Sequence, residues 1–242
     1  MINSILKQIQ NAAIKGDKLL AILLDPDKTS IDEISLIAKK IDAINANFIF
    51  VGGSYVENGT TDVFVKKLKK HSNKSIILFP GDYSQITNNA DALLFLSLLS
   101  GRNPEYLIEQ QIKSVPFLKN STLEIIPTGY ILIDGGINSS VLKISKTTPI
   151  SQDNIELAVA TAIAGMHKGK QLIYLEAGSG ATTSVNPKLI SEVKKNIHIP
   201  LIVGGGIRTK KQLKNAFKNS ADLVVIGTAF EKNNDLLIEK YE

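Results

Sequence analysis

Residues 201–229 read LIVGGGIRTKKQLKNAFKNSADLVVIGTA and contain a complete strand, helix and strand. The apolar runs 201–203 and 223–226 lack polar alternation, as expected of strands that are buried on both faces. The amphipathic stretch 210–219 between them predicts a helix, and a glycine-rich segment follows each run. Such a unit predicts parallel strands joined by a right-handed crossover.

The same alternation extends over the rest of the chain. Further strands are predicted at 19–24, 48–51, 75–79, 92–96, 125–133 and 172–175, and further helices at 31–44, 61–71, 104–118, 154–167, 187–196 and 231–241. Eight strands in 242 residues predict one α/β domain over residues 1–242, a TIM-type (β/α)₈ barrel. The turn-rich segment 80–89 predicts a short or irregular third helix, and the long link 134–152 is typical of a lid or binding loop.

Composition excludes several classes of function. The chain has no Cys, so disulfides, thiolate metal sites and a Cys nucleophile are excluded. A secretory signal and an apolar run long enough to span a membrane are both missing, and we expect a cytoplasmic protein. The net charge of +5 is spread over helix faces, which argues against a nucleic-acid partner but permits contact with an anionic membrane surface during product release.

In barrels of this kind the active site lies at the carboxyl ends of the strands. His71, His167 and His198 are predicted at the opposite end, with structural or surface roles. Strands six, seven and eight, by contrast, end in the glycine-rich segments 174–180, 204–208 and 226–230. Glycines let backbone N–H groups approach an anion closely, so the last two segments predict a phosphate site. A tight turn from strand to helix would by itself also favour glycine in these segments.

Two acidic residues, Asp25 and Glu176, are predicted at the same end of the barrel. Asp25 follows strand one and Ser54 follows strand two, so both are expected to face one Mg²⁺ ion, which prefers oxygen ligands. Capping of the turn before Pro26 explains Asp25 equally well. Glu176, beside the glycine-rich loops, is predicted to act as a general base, with a structural salt bridge as the alternative.

Five segments together resemble the geranylgeranylglyceryl phosphate synthase family, which includes the heptaprenylglyceryl phosphate synthases. They are LLDPDK at 23–28, VGGS at 51–54, YLEAGSG at 174–180, VGGGIR at 203–208 and VIGTA at 225–229. The segments at 77–81, 97–103 and 127–133 extend the resemblance over nearly the whole chain. A single glycine motif occurs in many barrels, but this ordered set is specific.

The resemblance implies a Mg²⁺-dependent prenyltransferase of phospholipid biosynthesis. In that family the 3-hydroxyl of sn-glycerol 1-phosphate attacks C1 of a polyprenyl diphosphate, with geranylgeranyl favoured here, and forms an ether while releasing diphosphate. Asp25 and Ser54 match the metal ligands, and Glu176 matches the residue that orients or deprotonates the hydroxyl. The glycerol-phosphate site corresponds to Tyr174, Leu175, Glu176, Ala177, Gly178, Ser179, Gly180, Gly205, Gly206, Gly227 and Thr228.

The chain also departs from the family pattern. Some members carry a Lys where this chain has Leu23, so Lys28 or backbone amides are expected to hold that end of the substrate. The form of the segments after Glu176 and around Pro127 resembles the larger branch, which implies a homo-oligomer, either a dimer or a hexamer. Prenyl chain length is left open.

Tyr130 is predicted to line the groove for the prenyl tail, with the link after it closing over the substrate; a place in the barrel core is the alternative. Two other functions remain open. A sugar-phosphate barrel of the phosphoribosyl isomerase or synthase type would share the phosphate loops but would not need an apolar groove. A non-catalytic phosphate-binding barrel is the other alternative.

Overall fold

Parallel strands alternate with helices along the computed structural model, which describes residues 4–137 and 139–232. Within those ranges eight strands form a closed barrel in sequence order, with β8 paired to β1. The strands are β1 Leu19–Leu24, β2 Phe48–Val51, β3 Ser75–Leu78, β4 Ala92–Leu98, β5 Glu124–Leu132, β6 Leu172–Glu176, β7 Leu201–Gly204 and β8 Leu223–Ile226. All eight predicted strands and the barrel are therefore confirmed, with ends that differ by at most two residues.

The helices surround this barrel. They are α1 Ile5–Lys15, α2 Ile34–Ala43, α3 Thr60–Lys69, α4 Gln110–Leu118, α5 Ser140–Ser145, α6 Ile155–His167, α7 Pro187–Asn196, α8 Lys210–Lys218 and α9 Thr228–Lys232. A 3₁₀ turn, Ile31–Glu33, precedes α2, and a π-helical turn, Glu105–Glu109, precedes α4. Of the predicted helix 231–241, residues 233–241 lie outside the described residues.

The helix expected between β3 and β4 is reduced to one 3₁₀ turn, Tyr83–Gln85, as the sequence predicts. Pro80 and Gly81 precede the turn, and the side chain of Asp82 accepts a hydrogen bond from the Ser84 amide at 2.8 Å. Such short-range capping favours a turn over a long helix. The reduced element leaves the flank of β4 open.

Two apolar layers result from the strand pleat. On β6, Leu172 and Tyr174 point into the barrel, whereas Ile173 and Leu175 pack against the surrounding helices. Successive side chains of a strand face opposite sides, and both sides of these strands are buried. Complete burial of a side chain of this size contributes about 1.5–3 kcal/mol, so both layers stabilise the barrel.

Helix α1 closes the amino end of the barrel, where no helix was predicted from the sequence. Its buried residues Ile5, Ile9 and Ala12 belong to the inner apolar layer. The carboxylate of Glu124 accepts hydrogen bonds from the amides of Ile5 at 2.6 Å and Leu6 at 3.0 Å. The i, i+4, i+7 spacing of the apolar residues was the signal that was missed.

The link 134–152 is more ordered than predicted. It contains α5, and Ile133 and Ile150 form an isolated parallel bridge beyond β5. The backbone amide of Asp134 donates to the Ile150 carbonyl at 2.8 Å. These backbone groups extend the β5 pairing into the link, and whether the segment closes over a substrate stays a prediction.

Within residues 4–137 and 139–232, no helix is both long and apolar enough to cross a membrane.

Candidate active site

The three glycine-rich strand ends meet at one side of the barrel mouth. In the register, Glu176 on β6 pairs with Gly204 on β7, which pairs with Val225 on β8. The loops after these strands surround a cavity of about 330 Å³. Of the predicted site residues, this polar cavity is lined by Asp25, Ser54, Tyr130, Tyr174, Glu176, Gly178, Ser179, Gly180, Gly205, Gly206, Gly227 and Thr228.

Two predicted binding residues face elsewhere. Leu175 and Ala177 lie in the layer between barrel and helices, and both are buried there. The alternation of β6 places Tyr174 and Glu176 on the cavity side, so their odd-numbered neighbours point away. The side chains of Leu175 and Ala177 therefore do not line this cavity, and a contact of their backbone with substrate stays a prediction.

The loops after β6 and β7 approach each other backbone to backbone. Gly205 has a φ of +80°, and a Cβ atom there would lie only 2.6 Å from the Gly178 nitrogen. A side chain at this position is therefore excluded both by contact and by backbone conformation. Across the same mouth the hydroxyls of Ser179 and Thr228 lie 3.2 Å apart. Close-packed amides and two hydroxyls are suitable donors for an anion.

The start of α8 offers few free donors to an anion. Thr209 and Gln212 form a capping box, in which the Thr209 hydroxyl accepts a hydrogen bond from the Gln212 amide. These groups already satisfy donors that the helix start would otherwise offer to a ligand. The glycine loops and hydroxyls thus remain the main anion donors.

Glu176 is a buried carboxylate at the cavity wall, with 6 % of its surface exposed. Its Oε1 accepts a hydrogen bond from the Gly178 amide at 2.7 Å. Burial raises the pKa of Glu176 to about 7, and the Gly178 amide and the Tyr174 hydroxyl oppose this rise in part. Among the described residues no cation forms a salt bridge with Glu176, so the alternative of a structural ion pair finds no partner there.

Tyr174 places a second polar group beside Glu176. Its hydroxyl is buried and has no partner of full hydrogen-bond geometry among the described residues. Buried polar groups are nearly always hydrogen-bonded, so this hydroxyl can donate to the neighbouring Glu176 carboxylate or to a ligand. Burial raises the pKa of Tyr174 far above its usual value, and the nearby Glu176 carboxylate adds to that rise. Tyr174 therefore stays protonated and can donate.

Aromatic rings form the floor of the polar cavity. The Phe79 ring stacks on Tyr174 with centroids 5.2 Å apart, and Tyr130 meets Tyr174 edge-on at 5.5 Å. Tyr130 is buried, yet its side chain also lines the cavity. Tyr130 therefore lies both in the barrel core and at the cavity wall, and its contact with a prenyl tail stays a prediction.

A second, apolar cavity of about 110 Å³ opens beside the first. It lies on the flank that the reduced third helix leaves open, between β4, α4 and α5. Six residues line both cavities: Gly53, Ser54, Phe79, Tyr130, Val141 and Ile144. The deeper wall of this apolar cavity is formed by Leu93, Leu94, Phe95, Leu96, Leu98, Gln111 and Ser114, among others.

Asp25 and Ser54 lie at the same cavity, as predicted from neighbouring strand ends. Asp25 accepts a hydrogen bond from the Asp27 amide at 3.1 Å and forms an ion pair with Lys28. Its carboxylate therefore also caps the turn in which it lies. A Cβ atom at Gly53 would lie 2.9 Å from Asp25 Oδ2, which leaves a space over the carboxylate that a side chain would fill. Among the described residues no three His, Cys, Asp or Glu side chains gather as metal ligands. One carboxylate and one hydroxyl still suit Mg²⁺ where substrate oxygens and water complete the shell.

Arg208 is a cavity residue whose role the sequence did not reveal. Its guanidinium donates to the carbonyls of Gly180 at 2.8 Å and Ala181 at 2.6 Å. It thereby fixes the loop after β6 against the loop after β7. An Arg directly after a glycine-rich strand end was the available signal. The three histidines, in contrast, are exposed and far from the carboxyl ends of the strands, as predicted.

A (β/α)₈ barrel with a buried acid and glycine-rich loops at its carboxyl end has the architecture of barrel enzymes that act on small anionic substrates. Residues 13–242 match the PcrB family. The chain belongs to this family.

Several proteins similar to this chain are geranylgeranylglyceryl phosphate synthases. A geranylgeranylglyceryl phosphate synthase of Zunongwangia profunda is 56 % identical over 227 residues, 94 % of this chain and 97 % of the relative. One of Flavobacterium johnsoniae is 50 % identical over 234 residues, 97 % of this chain and 96 % of the relative. The crystal structure of (S)-3-O-geranylgeranylglyceryl phosphate synthase from Thermoplasma acidophilum, in complex with its substrate sn-glycerol-1-phosphate, has a TM-score of 0.92 at 32 % identity and covers 98 % of this chain and 96 % of its own.

Proposed function

We propose that the protein transfers a polyprenyl group, geranylgeranyl by preference, from its diphosphate to sn-glycerol 1-phosphate. The 3-hydroxyl oxygen of the glycerol forms a bond to C1 of the prenyl chain, the bond from C1 to the diphosphate oxygen breaks, and the hydroxyl proton is removed. The products are a prenylglyceryl phosphate ether and diphosphate. The names of the similar proteins and the glycerol phosphate bound in the Thermoplasma acidophilum structure support both substrates.

One observation carries the proposal: a polar cavity and an apolar cavity meet at Tyr130. A substrate with an anionic head and a long hydrocarbon tail needs this combination. Each buried CH₂ group contributes about 0.8 kcal/mol, so the apolar cavity holds the tail while the loops hold the head. A phosphoribosyl isomerase or synthase has no use for the apolar cavity, and this argues against that alternative.

Glycerol phosphate is placed between the loops after β6, β7 and β8. Its phosphate binds to the amides and hydroxyls around Gly205, Gly206, Ser179 and Thr228, and Arg208 keeps these loops together. Its hydroxyls then lie toward β6, where Tyr174 and Glu176 offer a donor and an acceptor. This orientation directs the 3-hydroxyl toward the apolar cavity.

Glu176 takes the proton of the attacking hydroxyl. A carboxylate with an ordinary pKa is a weak base, whereas a pKa of about 7 matches that of an efficient general base near neutral pH. The raised pKa also argues for catalysis over mere binding, because it costs stability to keep an unpaired carboxylate buried.

Asp25 and Ser54 are proposed to hold Mg²⁺ together with the diphosphate oxygens. When bound, the ion neutralises charge on the departing diphosphate and orients it. The chain's own residues supply the rest: Asp25 contributes the negative charge, and the loop at Gly53 keeps the approach to it open.

Assembly into a homo-oligomer belongs to the same proposal. Ile108, Ile112, Val115 and Phe117, on or next to α4, are exposed apolar side chains. Such a patch is typical of surfaces that associate. Light scattering on the purified protein distinguishes monomer, dimer and hexamer.

The direct test incubates the protein with glycerol phosphate, a labelled prenyl diphosphate and Mg²⁺. Label that extracts into organic solvent only when all three are present supports the proposal. No transfer with a protein that binds glycerol phosphate normally would favour the non-catalytic alternative. Turnover of a sugar phosphate without transfer of the prenyl group would favour the isomerase class.

A further inference from the structure

Lys28 differs from the other cation at the polar cavity. Of the described residues that line this cavity, Lys28 and Arg208 are the two that carry a positive charge. Arg208 is held by the carbonyls of Gly180 and Ala181. Lys28 instead forms an ion pair with Asp25, and 58 % of its side chain is exposed against 11 % of the Asp25 side chain. An exposed ammonium on a flexible stem changes partner easily.

The balance of charges at the cavity favours a change of partner by Lys28. Three carboxylates, Asp25, Asp27 and Glu176, line the cavity beside the two cations. The buried Asp25 needs a positive partner in the free enzyme, and the proposed substrates add a phosphate and a diphosphate. At the end of β1, Leu23 offers an apolar side chain that lies against Gly227. Lys28 is therefore the cation of this loop that can serve both Asp25 and an incoming anion.

We propose that Lys28 exchanges partners during the catalytic cycle. In the free enzyme its ammonium neutralises Asp25. When prenyl diphosphate binds, Asp25 would hold a divalent cation in place of Lys28. The ammonium of Lys28 then turns to the diphosphate oxygens. Lys28 is thus both a competitor of the metal and a ligand of the anion. This inference rests on the proposed function.

The test is Lys28→Met, measured first without substrates and with Mn²⁺ as a paramagnetic probe of the metal site. Because the variant removes the competing ammonium, Mn²⁺ should bind about two- to fivefold more tightly than to the unaltered enzyme. The KM for prenyl diphosphate should rise by about tenfold, since a charge-assisted hydrogen bond is lost. The KM for glycerol phosphate should stay unchanged, which separates the two possible phosphate sources.

Lys66→Met is the matched control. Lys66 pairs with Asp62 on its own helix turn, and its side chain is also 58 % exposed. The control removes the same charge from the protein and should alter none of the three values. Lys28→Arg keeps the charge and should keep Mn²⁺ affinity close to that of the unaltered enzyme.

The opposite directions of the two effects identify the exchange. If Mn²⁺ affinity falls or stays constant in Lys28→Met, or if the KM for glycerol phosphate rises instead, the inference is overturned. Absence of prenyl transfer by the unaltered enzyme would instead contradict the proposed function, while the Mn²⁺ measurement would still decide whether Lys28 competes for Asp25.

Discussion

The hydroxyl of Tyr174 and the carboxylate of Glu176 point to the same side of β6 and meet above Gly204, where an added Cβ atom would lie 2.7 Å from Glu176 Oε2. The Tyr174 hydroxyl lies beside the Glu176 carboxylate without a hydrogen bond of full geometry, and the glutamate accepts from one backbone amide. Two buried polar groups that are not fully paired mark the place where substrate hydroxyls bind.

Glu176→Gln should lower kcat by about 10²- to 10⁴-fold, because the amide keeps the shape of the side chain but cannot take a proton. The KM for glycerol phosphate should change much less. Steady-state kinetics with both substrates measure the two effects. Glu192, which pairs with Lys195 and does not line the cavity, provides the control Glu192→Gln with unchanged kinetics. A normal kcat with a raised KM would make Glu176 a binding residue only.

The pH profile should carry the signature of the same carboxylate. Since the base acts when ionised, kcat/KM should rise through about pH 7, the raised pKa of Glu176. Tyr174→Phe should move this limb to higher pH, because the hydroxyl lowers the pKa of Glu176. A profile that is flat between pH 5 and 9, measured over the range roughly two units either side of that pKa, would contradict the assignment.

Stability should follow the same ionisation with a defined sign. The folded state holds the Glu176 proton up to about pH 7, whereas the ordinary pKa of a glutamate is 4.5, so the folded state binds more protons than the unfolded chain between those values. The free energy of unfolding should therefore fall by up to about 3 kcal/mol as pH rises through this window, and level off above it. Glu176→Gln should lack this fall; an identical dependence in both proteins, measured by urea unfolding, would count against a raised pKa.

Asp25→Asn should reduce turnover by about 100-fold or more, because the metal loses its charged ligand. The asparagine oxygen can still accept the hydrogen bond from the Asp27 amide, so the fold should change little. Titration of activity with Mg²⁺, before and after chelation, measures the effect. Activity that survives chelation in the unaltered enzyme would remove the metal assignment.

The prenyl tail should be sensed at the junction of the two cavities. Ile144 is exposed and lines both of them, so Ile144→Gln should raise the KM for long prenyl diphosphates without loss of stability. Tyr130→Ala should change the ratio of kcat/KM for short and long chains, with Tyr130→Phe as the control that keeps the ring. Unchanged chain-length preference in both variants, and no protection from protease at residues 134–152 by substrate, would place the tail elsewhere.

The sequence by itself determined the barrel. Each strand and most helices are marked by the local spacing of apolar residues, and the order of eight such units leaves few ways to close a sheet. The glycine segments after β6, β7 and β8, together with Asp25, Ser54 and Glu176, could be placed at one end because parallel strands share one carboxyl edge. Even α1 is marked by the spacing of Ile5, Ile9 and Ala12, although this helix was not predicted.

Only the tertiary structure decided the burial, the close contacts and the electrostatic surroundings of these residues. The pKa of Glu176 depends on how completely the barrel removes water from it, and the surroundings of the Tyr174 hydroxyl depend on which groups other strands bring near. The apolar cavity joins β4, α4 and α5, and Arg208 reaches back to a loop nearly thirty positions earlier. Burial, close approach and electrostatic coupling arise between segments that are distant along the chain, whereas a sequence pattern records only the preferences of neighbours.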